Sequence, residues 1–327
     1  MTTPSRRGAE AAGREAEGRA GGTAVGEFAL YPGMAAAAPG LGRAFAADPA
    51  AARVLDEFGR ASGADVTRLV TDATEAELFG DRAWELAVVA TEIAALEAFR
   101  AAGGRVSCAL GFSIGAYAAL YDAGMLDVGQ IVAMIDCVLA ASRSLPGRYG
   151  MAAVTGPSRE AVEALCRQGE VEVAAVLGEG QVLVAGERSA TDRLCAEVSA
   201  RAISVGQLPV RWPLHTSLMA PVAAELERSR QTFGRLRPLR HPVYSGVDGS
   251  VVRRAPEGWE LLVRHLVLPQ RLDLALQAAL AAGERRFVEI GPGSTLSRAL
   301  RRLAGPAVSV RPFPPRADRW RKGAGKC

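Results

Sequence analysis

Short apolar runs alternate with longer alanine-rich stretches along most of the chain. Residues 28–31 and 106–110 are short, largely apolar runs of the length expected for buried strands, whereas 43–60, 84–102 and 114–123 have helical length and spacing. That alternation predicts a parallel sheet with crossover helices. Between 151 and 211 the rhythm changes to strand 151–155, helix 158–168, strands near 171–176 and 181–185, helix 189–201 and strand 203–210. Beyond it the α/β character returns, with a strand at 242–245, helices near 256–267 and 272–282, and a strand at 287–290.

The βαββαβ order of 151–211 resembles a ferredoxin-like lobe. It divides the chain into a large domain over 25–150 and 212–312 and a small subdomain over 151–211. A flexible leader is expected over 1–24 and a basic, proline-bearing tail over 313–327. With 327 residues and 49% hydrophobic side chains the chain can bury a large core. Its 39 basic and 35 acidic residues give a net charge of only +4, and aromatics make up 6%. No stripe of interleaved basic and aromatic residues points to a nucleic-acid surface. A docking patch for a small acidic protein remains open.

Five cysteines, an odd and scattered set without a CxxC pair, imply neither a disulfide framework nor a zinc site. No metal and no bound redox cofactor is implied, and a reducing cytoplasm is the expected location. Residues 1–24 lack the apolar segment of a signal peptide, and no window is long and apolar enough to span a membrane.

The chemistry concentrates in Gly111-Phe-Ser113-Ile-Gly115, which follows the apolar run 106–110 and opens a helix. A serine on so tight a strand-to-helix turn needs small flanking residues and is left with its hydroxyl exposed. There the helix N-terminus and the backbone N–H of Ile114 can stabilise an oxyanion. A serine hydroxyl also needs a base. The three histidines are His215, where the chain returns from the small lobe, His241 at a strand entrance, read as structural, and His265 in an apolar helix.

These residues carry a resemblance to the malonyl-CoA:acyl carrier protein transacylases and the acyltransferase domains of polyketide synthases, over about 27–312. Tyr31-Pro32-Gly33 resembles the FPGQG element, 111–115 the GHSxG elbow, and Met151-Ala-Ala-Val154 the start of the small lobe. Trp212-Pro-Leu-His215 resembles the segment with the catalytic histidine, and Glu289-Ile-Gly-Pro-Gly293 the late EVGPG turn. The resemblance implies an α/β-hydrolase-like large domain with an inserted ferredoxin-like small subdomain. It makes Ser113 the nucleophile, His215 its base, the backbone of Met34 and Ile114 the oxyanion hole, and the carbonyl of His265 the group that orients His215. It further implies ping-pong transfer to an acyl carrier protein, with coenzyme A or phosphopantetheine thioesters as substrates.

Four departures fall where the family handles its acyl group. Asp136 aligns with the arginine that grips malonate, Met34 replaces the FPGQG glutamine, Phe112 replaces the elbow histidine, and an asparagine-bearing stretch reads Ala175-Val-Leu177. The expected acyl pocket is therefore formed by Asp136, Phe112, Leu177, Trp212 and Leu214, and its acyl group is not malonyl; an aminoacyl or other non-carboxylated group fits instead. A polyketide-type pathway is the expected setting. Arg298, Arg301 and Arg302 are candidate carrier-binding residues. Three alternatives stay open: an editing thioesterase, a malonyl transacylase despite the lost arginine, and a non-catalytic carrier-binding protein.

Overall fold

The computed structural model describes residues 26–314 except 81 and 201–203. The leader expected over 1–24 lies outside the described residues, as does all of the expected tail beyond 314. In chain order the first half runs β1 (Glu27–Tyr31), α1 (Pro49–Ser62), α2 (Val66–Thr71), α3 (Glu75–Leu78), α4 (Ala83–Ala101), β2 (Val106–Gly111), α5 (Gly115–Asp122) and α6 (Val128–Ser142). Next come β3 (Tyr149–Thr155), α7 (Arg159–Gly169), β4 (Val171–Gly178), β5 (Gln181–Glu187), α8 (Arg188–Ala200) and β6 (Ser204–Leu208). The chain continues with α9 (Ala220–Arg228), β7 (Val243–Tyr244), β8 (Val251–Val252), α10 (Ala255–Val267), β9 (Gln270–Arg271), α11 (Leu272–Ala281), β10 (Arg286–Ile290), α12 (Thr295–Ala304) and β11 (Ser309–Phe313).

The large sheet has the order β11-β10-β1-β2-β7-β8. All its pairs are parallel except β7 with β8. Because side chains alternate along a strand, β1 sends Ala29 and Tyr31 into the larger core and Phe28 and Leu30 into a second core on the opposite face. Helix α4 is buried along almost its whole length, which is why its apolar positions show no single stripe. Its one fully enclosed acid is Glu92.

Sequence and structure differ at identifiable signals. The helix expected from residue 43 starts at Pro49, since Asp48 caps it by accepting from the N–H groups of Ala50 and Ala51. The expected tail boundary at 313 cuts a strand: Phe313 pairs with Ile290 in β11 and is buried.

The small sheet has the order β6-β3-β5-β4-β9. Its first four strands are antiparallel neighbours in the ferredoxin-like arrangement. The fifth, β9, comes from beyond the expected boundary at 211 and pairs parallel with β4, placing Gln270 beside Ala175. A segment that follows the insertion in the chain thus supplies the edge strand of the small sheet. Among the described residues no helix is long and apolar enough to cross a membrane.

Candidate active site

The C-terminal ends of the adjacent strands β1 and β2 place two loops against each other. Ser113, between β2 and α5, has φ +57°, a left-handed conformation that side chains seldom adopt. Its flanking glycines are required by space. A Cβ at Gly111 would lie 2.3 Å from the Gly115 carbonyl oxygen, and one at Gly115 would lie 2.5 Å from that of Tyr31. The elbow is also tied to β1, because the Phe112 N–H donates to the Tyr31 carbonyl at 2.9 Å.

His215 arrives from the small lobe, again at positive φ (+65°), with its N–H donating to the Leu266 carbonyl at 2.9 Å. Its Nε2 lies 2.7 Å from Ser113 Oγ. Its Nδ1 is hydrogen-bonded to the carbonyl oxygen of His265. Since a carbonyl only accepts, Nδ1 carries the proton and the Nε2 lone pair faces the serine hydroxyl. Burial, reinforced by the neighbouring His265 and opposed by the bond to its carbonyl, lowers His215 to about 3. His265 is itself lowered to about 4 by burial. Both rings are therefore neutral near pH 7, and His215 is a free base hydrogen-bonded to an alcohol. A main-chain carbonyl thus occupies the orienting position in which a carboxylate often stands.

Ile114 caps the N-terminus of α5. Opposite it, residues Gly33–Ala36 form a single 3-10 turn carrying Met34. Gly33 has φ +60°, and a Cβ there would lie 2.2 Å from the Phe112 carbonyl oxygen, so this loop rests directly on the elbow. Two residues not singled out in the sequence hold the arrangement. Gly33 N–H donates to Glu92 Oε1 at 2.6 Å. Gln270 Oε1 accepts from Ser113 N–H at 3.3 Å, while its Nε2 faces the His265 carbonyl at 3.4 Å. Glu92 had a sequence signal, an acid inside an apolar helix. Gln270 had none, because only the pairing of β4 with β9 brings it to the serine.

Beside Ser113 and His215 opens a small cleft, lined by Trp84, Glu85, Tyr117, Ile135, Val138, Leu139, Ser142, Trp212 and Leu214 together with Ser113, Ile114, His215, His265 and Leu266. Of the expected acyl-pocket residues, Trp212 and Leu214 line this cleft, whereas Asp136, Phe112 and Leu177 do not. On α6 the residues 135, 138, 139 and 142 follow the i, i+3, i+4, i+7 spacing of one helix face, and Asp136 is turned about 100° from Ile135. Its carboxylate pairs with Arg82 at 2.5 and 2.8 Å, with 44% of the side chain exposed, so it supplies no charge to the cleft. Val138 occupies the wall in its place. Phe112 is buried in the second core with Tyr244 and Leu272, and Leu177 packs against that same core. The side chain after a glycine at a strand end follows the strand's alternation, which turns Phe112 away from the cleft. Met34 packs between the large core and the cluster around Met151 and Val210.

The three candidate carrier-binding arginines are exposed on α12 and none lines the cleft. Arg298 donates to Thr295 Oγ1, Arg301 to the Val310 carbonyl, and Arg302 to Gln181 Oε1 on the small lobe. Glu289 of the late glycine turn accepts from the N–H groups of Leu296 and Ser297 and so caps α12. His241 lies 3.4 Å from Asp122 in a buried cluster with Tyr31 and Arg100, in keeping with a structural role.

A profile of the acyl transferase domain matches residues 29–310. The malonyl CoA-acyl carrier protein transacylase of Bacillus subtilis is 28% identical over 294 residues, covering 86% of this chain and 92% of that protein. The spectinabilin polyketide synthase system protein NorB of Streptomyces orinoci is 30% identical over 302 residues, 87% of this chain, which spans only 14% of that much longer protein. Among solved structures, the malonyl-CoA:acyl carrier protein transacylase of Xanthomonas oryzae superposes with a TM-score of 0.81 at 26% identity, covering 89% of this chain and 95% of the other. A malonyl-transacylase solved in complex with its type II polyketide synthase acyl-carrier protein gives 0.81 at 26% identity, with 88% and 96% covered.

Proposed function

This chain belongs to the acyl transferase domain family, and from that premise we propose that it moves an acyl group through an ester on Ser113 to an acyl carrier protein of a polyketide-type pathway. The observation that carries the reading is the 2.7 Å approach of Ser113 Oγ to a neutral His215 whose other nitrogen is held by a carbonyl. His215 Nε2 takes the hydroxyl proton as Oγ attacks the thioester carbonyl. The amides of Met34 and Ile114 face the developing oxyanion. When the C–S bond breaks, the thiolate of coenzyme A or of a carrier's phosphopantetheine takes the proton back. A second thiol reverses the sequence, giving ping-pong transfer, and the burial of Ser113 and His215 limits competition by water.

The acyl group transferred is a non-carboxylated one. The cleft's walls are largely apolar, its lining includes Glu85 but no lysine or arginine, and both its histidines are neutral. A malonyl carboxylate would be desolvated there without a cation, which is unfavourable by several kcal/mol. The similarity to proteins named malonyl transacylases favours the opposite substrate. Intact-mass measurement after incubation with equal malonyl, acetyl, butyryl and aminoacyl thioesters separates the two. We expect a neutral or aminoacyl adduct on Ser113 in at least about tenfold excess over malonyl, the factor for 1.4 kcal/mol; a dominant malonyl adduct refutes the preference and leaves the enzyme class intact.

The carrier docks through basic residues, with Arg298, Arg301 and Arg302 as the candidates. The support is their exposure, together with a related transacylase solved with its carrier. Reversing charge at 301 and 302 should raise the apparent KM for carrier about fivefold at low ionic strength, and less at high salt. An unchanged, salt-independent KM removes these residues from the interface.

A further inference from the structure

Resting on the acyl-transfer reading above, we infer that Glu92 is a positioning residue for the reaction, an acid reaching from the interior of α4 to hold the Met34 loop against the Ser113 elbow. The side chain has no solvent exposure. One oxygen accepts the Gly33 N–H at 2.6 Å, and the other is buried without a hydrogen-bond partner. Gly33 immediately precedes Met34, and its backbone presses on the Phe112 carbonyl so closely that no side chain fits. Fixing the Gly33 amide therefore fixes the peptide plane that precedes the proposed oxyanion donor.

The groups around Glu92 define its protonation state. From β10 it faces Glu289, whose oxygens are engaged by the N-terminus of α12. From β1 it faces Tyr31, which donates to Asp122, itself bound by Arg100. Burial, and secondarily the negative Glu289, lift its carboxyl to about 8 against the lowering effect of the Gly33 bond. At neutral pH the acid is uncharged, which avoids the larger cost of holding a bare carboxylate in a dry site. Its ionisation places a second negative charge beside Glu289, and that strain is relieved by admitting water and displacing the loop at 33–34.

The direction in pH follows. The competent form is the protonated one, so the rate falls as pH rises through about 8. His215, lowered to about 3, does not titrate in that range. Two rates are to be measured from pH 6 to pH 10: acylation of Ser113 by a thioester, and its labelling by a fluorophosphonate, whose oxygen uses the same donors. Glu92→Gln should stay within about threefold of the parent at neutral pH and lose the alkaline fall, whereas Glu92→Ala should drop kcat and labelling about tenfold with KM nearly unchanged. An alkaline limb that persists in Glu92→Gln overturns the inference, as does full labelling in Glu92→Ala. If Glu92→Ala does not fold, the Glu92→Gln profile alone decides. Fluorophosphonate labelling is independent of any thioester, so failure of transfer with labelling intact counts against the acyl-transfer reading and not against Glu92.

Discussion

Replacing His215 by alanine should lower the rate of Ser113 acylation about a thousandfold while leaving thioester binding nearly unchanged, because the imidazole acts on the proton and not on the acyl chain. The expected effect is large because no second base stands near the hydroxyl among the described residues: His265 offers Ser113 no nitrogen, only the carbonyl that holds His215. The same geometry sets the acid limb of the parent enzyme. A histidine at its ordinary value of about 6.5 would lose activity between pH 7 and 5. His215 is lowered to about 3 by burial and by its neighbour. Protonation removes the lone pair that accepts the serine proton, so activity should be flat from neutrality to about pH 5 and fall only as pH approaches that lowered value. A limb near pH 6.5 in single-turnover acylation would show that the imidazole is hydrated in solution and that the dyad is not closed as drawn.

Val138→Arg should change the acyl preference toward carboxylated groups by about tenfold or more in a mixed-thioester competition read by intact mass. Val138 lies on the α6 face that lines the cleft beside Ser113, so a guanidinium there meets the distal end of a bound acyl group. An exposed ion pair would yield little. A cleft walled by Trp84, Trp212, Leu139 and Leu214 screens it less. Glu85 lines the same cleft and competes for the new cation, so Val138→Arg combined with Glu85→Gln should show the larger shift. Asp136→Arg is the contrasting variant. Its position faces Arg82 on the outside of the helix, and it should leave acyl preference unaltered. If Asp136→Arg and Val138→Arg shift preference alike, the assignment of the helix faces is wrong.

That contrast marks where sequence alignment lost its hold. The family resemblance brought the alignment to Asp136, but nothing within that stretch pinned the helix rotation, and two positions of drift turn a side chain by about 200°. The apolar spacing of Ile135, Val138 and Leu139 was present in the sequence and points to the face that lines the cleft. Phe112 and Leu177 failed for a different reason. Their departure from the family pattern was legible, but the direction of each side chain depends on which of two cores lies behind its strand end, and both lie in the second core. The elbow itself could be placed from sequence because its constraint is local. Gly111 and Gly115 are required by backbone atoms within a few residues or on the adjacent strand.

By itself the sequence determined the alternation of strands and helices, the ferredoxin-like order of the insertion, and the serine on its glycine-flanked turn. Those features follow from short-range sterics and from periodicities of two and 3.6 residues, which are written in neighbouring positions. Tertiary structure decided what depends on approach between distant segments. It closed Ser113 on His215 across 102 residues, brought Gln270 to the elbow through β9, and left Glu92 as an enclosed acid under the Met34 loop. It also gave the cleft Val138 and withheld Asp136 from it. Such contacts, and the desolvation that makes both histidines neutral, arise only when the packed interior excludes water around groups far apart in the chain.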